Sequence, residues 1–102
     1  MDNVEKLLSQ IKNDPEVMRS RFTGLTDEVA NVLEKHGWGI AKAFLLEKQS
    51  RGELRPQATA LLKVLDKIEQ YPDIKSNRKV GRLIIKALNS LQNLARRDRN
   101  GF

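Results

Sequence analysis

Apolar side chains return every three or four positions along almost the whole chain, and no stretch of four or more residues alternates singly between turn signals. That spacing lines one side of a helix and leaves nothing patterned as a half-buried strand. The chain is therefore expected to fold as packed helices. Its 102 residues suffice for one domain with a real core. It has no cysteine, which excludes a disulfide framework, a thiol nucleophile, an iron–sulfur site and a cysteine-based zinc site.

The helices can be placed from their stop and start signals. Val4, Leu7, Leu8 and Ile11 line the first, and Asp2 with Glu5 three residues later resembles a capping box. Asn13-Asp14-Pro15 ends it and starts a short second helix reaching about Phe22, with Pro15 suited to the first helical position and Asp14 to accepting from freed amides. Thr26 is expected to cap a third helix with Asp27 and Glu28 in its first turn and Val29, Val32 and Leu33 facing inward. His36-Gly37-Trp38-Gly39 reads as a break, with Gly37 at a left-handed position. A fourth helix, from about Gly39 to Gln49, is apolar round more than half its circumference, which predicts a central, well-buried helix. The fifth begins near Pro56, carries Ala58, Leu61, Leu62, Leu65 and Ile68, and ends at Tyr71-Pro72.

The last helix, from near Ser76, is the longest. Val80, Leu83, Ile84, Ala87, Leu88, Leu91, Leu94 and Ala95 are expected to hold one face against the core. The predicted fold is all-α: a compact five- to six-helix bundle forming a single domain over residues 1–102. Within it, residues 54–100 make a helical hairpin with a long basic C-terminal helix.

Charge is unevenly spread. The net charge is +6, yet residues 1–73 hold 11 basic and 12 acidic side chains. The excess lies in residues 74–102, where Asp98 is the one acid beside Lys75, Arg78, Lys79, Arg82, Lys86, Arg96, Arg97 and Arg99. At about 100° per residue, Lys75, Arg78, Lys79, Arg82, Lys86, Arg96 and Arg97 fall opposite the Leu/Ile stripe. An ordinary solvated helix mixes signs, because like-charge neighbours repel by a few tenths of a kcal/mol per pair, about 0.2–0.5. An unmixed basic face suits an acidic partner. It also suits a purely solvating role, a match to acids elsewhere in the molecule, the helix dipole for the last arginines, or attraction to an anionic membrane surface.

Signals for chemistry are poor. His36 is the one histidine and sits at a helix end, where its cation would complement the dipole. Asp66 and Glu69 are expected to form surface ion pairs with Lys63 and Lys67. No serine has a base at a suggestive spacing, and Gly37-Trp38-Gly39 lacks the preceding strand and the length of a phosphate-cradling loop. Helices three and four have helix-turn-helix proportions, but a recognition helix reading Ile40-Ala-Lys-Ala-Phe-Leu45 offers one lysine to base edges. No catalytic residue, metal ligand, cofactor or small-molecule substrate is expected. No apolar run approaches the roughly 20 residues of a membrane span. The mixed, acidic opening residues do not read as a signal peptide, which points to a cytoplasmic location.

Residues 3–45 resemble the Nif11-like domain of nitrogenase gene clusters and of leaders of modified peptides. The matching text is Val4-Glu-Lys-Leu-Leu-Ser-Gln-Ile-Lys-Asn-Asp-Pro-Glu-Val17, Leu25-Thr-Asp-Glu-Val-Ala30 and Lys35-His-Gly-Trp-Gly-Ile40. The resemblance implies a small helical docking module, within residues 1–49, in a bacterial setting. Residues 56–88 look more distantly like the N-terminal helical domain of the elongation factor TFIIS, through Leu61-Leu-Lys-Val-Leu-Asp-Lys-Ile68, Tyr71-Pro72 and Lys79-Val-Gly-Arg82. That likeness implies docking of acidic-hydrophobic peptides. Together these features predict a non-catalytic regulatory or adaptor protein that docks an acidic protein surface or peptide. Lys75, Arg78, Lys79, Arg82, Lys86, Arg96 and Arg97 would supply the charge, with Trp38, at a break between helices, as an apolar anchor. The alternative is nucleic-acid binding through phosphates without sequence specificity.

Overall fold

Local capping chemistry divides the chain much as expected. The computed structural model describes residues 2–52 and 54–100, with the backbone alone for 95–100. Among these are seven helices and no strand: α1 (Asn3–Lys12), α2 (Pro15–Arg19), α3 (Leu25–His36), α4 (Trp38–Arg51), α5 (Arg55–Glu69), α6 (Pro72–Lys75) and α7 (Arg78–Asn100). Asp2 accepts from the Val4 amide at 2.6 Å, and Asp14 from the amides of Glu16 and Val17. Each carboxylate thus satisfies amides that have no partner inside the helix. Gly37 (φ 89°) and Gly52 (φ 86°) end α3 and α4 in backbone that a side chain disfavours.

Three local expectations are corrected. Thr26 does not cap α3; it lies one residue inside the helix, is buried, and its hydroxyl accepts from Asn89 of α7 at 3.4 Å. Tyr71-Pro72 ends α5 as expected, but the connection to the last helix is not a plain loop. Pro72 starts the single turn α6, whose Ile74 enters the core. α4 is not a central helix: Ala41 and Leu45 are its buried residues, Phe44 is half-buried, and Ile40 and Leu46 stand 54% and 46% exposed. Its apolar residues are spread round the axis rather than concentrated on a stripe, so one covered side leaves the rest facing out.

The helices pack chiefly as α7 on α3, α3 on α4 and α4 on α5, and the set closes through α1 and α2, which touch both α5 and α7. The expected hairpin is therefore replaced. After α5, the turn α6 carries the chain away, and α7 takes α3 as its main neighbour. One core joins all seven helices, with Leu7, Val17, Leu33, Leu45, Leu61, Ile74 and Leu88 each a member from a different helix.

α2, only five residues long, has too little surface to hold itself by packing alone. Gln92, buried on α7, donates to the carbonyls of Val17 and Ser20 at its C-terminal end. At the other end Lys63 and Lys67 reach from α5 to Asp14 at 3.3 and 3.1 Å, and Lys63 also reaches Glu16 at 2.8 Å. These lysines thus leave Asp66 and Glu69 for α2, and the two acids stay exposed on α5. Burial pushes the Asp14 carboxyl up, but hydrogen bonds from Lys67, the Val17 amide and Lys63 outweigh it, so its pKa lies below the ordinary carboxylate value. The Lys63 ammonium is held above its ordinary value, mainly by Glu16 and then by Asp14, against a desolvation that lowers it.

A depressed folded pKa makes the Asp14 contribution complete above the unfolded value of about 3.9 and removes it as pH falls through the folded value. Asp14→Asn keeps the cap but not the charge. With its ion pairs to Lys63 and Lys67 gone, we expect it to lose about 1 kcal/mol at pH 7 in urea unfolding and to depend less on pH than the native chain below about pH 4. Equal pH dependence in the two proteins would contradict this account of the clamp.

Candidate functional site

The outward surface of α7 depends on how the helix is rotated, and three contacts set that rotation. The Trp38 ring lies on Gly81. A Cβ there would stand 2.5 Å from Cη2, 2.6 Å from Cζ2 and 3.3 Å from a Leu33 methyl. The indole N–H donates to the Lys75 carbonyl, fastening the start of α4 to the end of α6. Further along, Gln92 is held by α2 as described. Between them, Ile84, Ile85 and Leu88 are buried.

This rotation divides the expected apolar stripe. Gly81, Ile84, Ile85, Leu88 and Gln92 face the core, while Leu83 and Leu94 stand 59% and 51% exposed. Val80, Ala87 and Leu91 are half-buried between the two sets. The expectation that one face buries Leu83 and Leu94 is thus corrected. With Ile85 included, the apolar residues run round more of α7 than its neighbours can cover. The backbone of Ala95, Arg96, Arg97 and Arg99 is helical, and their side chains lie outside the described residues.

The cations divide as well. Arg78 and Arg82 turn toward α3. The Arg78 guanidinium lies over Gly37, where a Cβ would meet its Nη2 at 2.8 Å, beside the C-terminal end of α3 where a cation is favoured. Arg82 Nε comes within 2.7 Å of Glu34 Oε2, an ion pair by distance whose N–H is not aimed at the carboxylate. Among the described residues, no carboxylate comes within ion-pair distance of Lys75, Lys79 or Lys86, and all three are exposed. Trp38, considered as an anchor, is half-buried with its N–H engaged.

Beside the lysines lies a feature that the sequence did not disclose. Val4 and Leu8 of α1 face Val80, Leu83, Ile84 and Ala87 of α7 across an open groove of about 390 Å³. Its lining is almost wholly apolar. By helical register, Lys79 and Lys86 border it beyond Leu83. A smaller hollow of about 250 Å³, at Glu16, Arg19, Ser20 and Pro56, brings together no comparable chemistry. His36 is exposed at the end of α3. Among the described residues, no group of three or more His, Cys, Asp or Glu could hold a metal ion, and no helix is long and apolar enough to cross a membrane.

Compared with known proteins, the chain matches no family model, no curated protein and no solved structure.

Gly81→Ala tests the contact that sets α7. Alanine is intrinsically better than glycine in a helix by up to about 1 kcal/mol, yet here, in the first turn of α7, its methyl would press on a large ring and a buried leucine. We expect a net loss of about 1–3 kcal/mol in urea unfolding. Stabilisation by the substitution would show that the Trp38 ring does not occupy this seat.

Proposed function

We propose that this chain is a non-catalytic adaptor that docks an acidic protein partner through the outer face of α7. The observation that carries the proposal is the pair Lys79 and Lys86, exposed two turns apart along the helix with no carboxylate among the described residues to neutralise them. Lys75, exposed just before α7, adds to the same end of the molecule. Arg82 contributes less, since Glu34 already screens it, and Arg78 is committed to the end of α3. The likeness of residues 3–45 to Nif11-like docking modules fits this reading.

An acidic protein suits the surface better than a phosphate backbone does. The uncompensated lysines border an apolar strip, and duplex phosphates offer nothing apolar to cover it. A protein partner brings carboxylates and hydrophobic side chains together, as interfaces with a desolvated centre and a charged rim do.

The test is the double variant Lys79→Glu/Lys86→Glu, compared with the native chain for binding to a glutamate-rich peptide and to plain DNA duplex. Each exposed ion pair contributes up to about 1 kcal/mol. Exchanging attraction for repulsion at two of them should therefore weaken peptide binding by about 10- to 100-fold with helicity unchanged. The opposite result would be no effect on the peptide together with duplex binding whose log–log salt slope is about −0.9 per phosphate neutralised. That would assign the surface to nucleic acid.

A further inference from the structure

The groove and its charged border make the partner more specific than an acidic surface. We infer that the groove between α1 and α7 seats an amphipathic helix of the partner, with leucine-like side chains in the groove and its acids on the flank lying over α7. This rests on the docking reading above and adds to it the shape of the ligand and the placement of its charges.

Shape comes first. The lining is contributed by two helices, Val4 and Leu8 from one and Val80, Leu83, Ile84 and Ala87 from the other. A trough between two helices accepts a cylinder rather than a plane, and apolar residues at i, i+3/i+4 and i+7 of a third helix fill it. Half-buried Ala87 and Leu91 lead along α7 to exposed Leu94, three turns beyond Leu83, so the face matches a ligand of several helical turns.

Charge then fixes the flank. On the α7 side the border is Lys79 and Lys86, of one sign and unpaired among the described residues. On the α1 side, helical register brings Glu5 and Lys12 next to Val4 and Leu8, one of each sign. A ligand helix with acids on both flanks would meet Glu5 with like charge on one of them. A helix acidic on the α7 flank alone meets complementary charge and no repulsion. The same asymmetry disfavours a second copy of this chain. Pairing two such α7 faces would set Lys79 and Lys86 against their equivalents, and Asp98 is the one acid in α7 to relieve them.

Two synthetic helical peptides separate the inference from the reading beneath it. Both carry glutamates along one flank; one has leucines at the seam and the other serines there. Binding to the full chain is followed by fluorescence anisotropy, with circular dichroism of each variant as a folding control. The leucine peptide should bind at least about tenfold more tightly than the serine peptide. Leu83→Ser, a change at an exposed position, should remove most of that difference and leave the serine peptide unaffected. Lys79→Glu/Lys86→Glu should weaken both peptides. Amide shifts on adding the leucine peptide should fall on α1 and α7 together.

If the charge variant weakens both peptides while Leu83→Ser changes neither, the groove inference is overturned and the docking reading stands. If Leu83→Ser abolishes binding while the charge variant has no effect, the acidic assignment fails, and the docking reading with it. Failure of the leucine peptide to bind at about 1 mM, a bare −4 kcal/mol, overturns the inference. So does a concentration-dependent dimer dissolved by Leu83→Ser, which would give the groove to a second copy. Binding to phosphatidylserine vesicles in place of the peptide would give it to a lipid surface and overturn the inference equally.

Discussion

The rotation of α7 about its own axis depends on a tryptophan ring seated against a glycine. Trp38 begins α4, and its ring takes the place that a side chain at Gly81 would fill. Because the indole N–H is tied to the Lys75 carbonyl, the ring cannot slide along α7 without giving up a hydrogen bond. One contact between a large aromatic and bare backbone thus joins α4, α6 and α7. From it follows which apolar residues are covered and which are not. Seating the ring on Val80 instead would turn Leu83 inward and Ile85 out, since neighbours on a helix differ by about 100°.

Electrostatics follows the same partition. Around α2 and α5 the charges close on themselves. Asp14 and Glu16 take Lys63 and Lys67, and a five-residue helix is fastened at both ends by polar bonds rather than by area. On α7 the two arginines nearest α3 find a carboxylate or a helix end. The lysines farther round find nothing among the described residues. The uncompensated part of the basic helix is therefore narrower than its sequence suggests, and it lies directly beside uncovered apolar surface. Either feature alone is ordinary on a protein surface; adjacency is what gives the face a chemistry of its own.

Most of the fold was legible in the sequence because helix periodicity and capping are local. Asp2, Asp14, Pro15 and Gly37 act through their immediate neighbours, and each acts where the sequence places it. The misses are all tertiary. Thr26 has the composition of a cap, but a partner on α7 holds it inside the helix. α4 has a high apolar content, yet neighbours cover only one side of it. Lys63 and Lys67 had near carboxylates on their own helix and both took the more buried Asp14 at the start of α2, where ion pairs are less screened. The groove was illegible for the same reason. Val4 and Leu8 read as the inner face of α1, and only the approach of α7 determines that they line a trough. One clue was present: with Ile85 counted, α7 carries apolar residues on more of its circumference than a single buried face requires.

The chain has no cysteine of its own, so thiols introduced singly along α7 report its rotation without background. The decisive measurement is the rate at which Leu83→Cys, Ile85→Cys and Leu94→Cys react with a neutral thiol reagent in the folded protein. The rotation described here predicts that the thiols at 83 and 94 react within about tenfold of an unfolded control while the thiol at 85 is slowed by about 100-fold or more. A protected thiol at 83 beside a reactive one at 85 would mean that α7 shows a different face, and no lysine-bordered groove would remain.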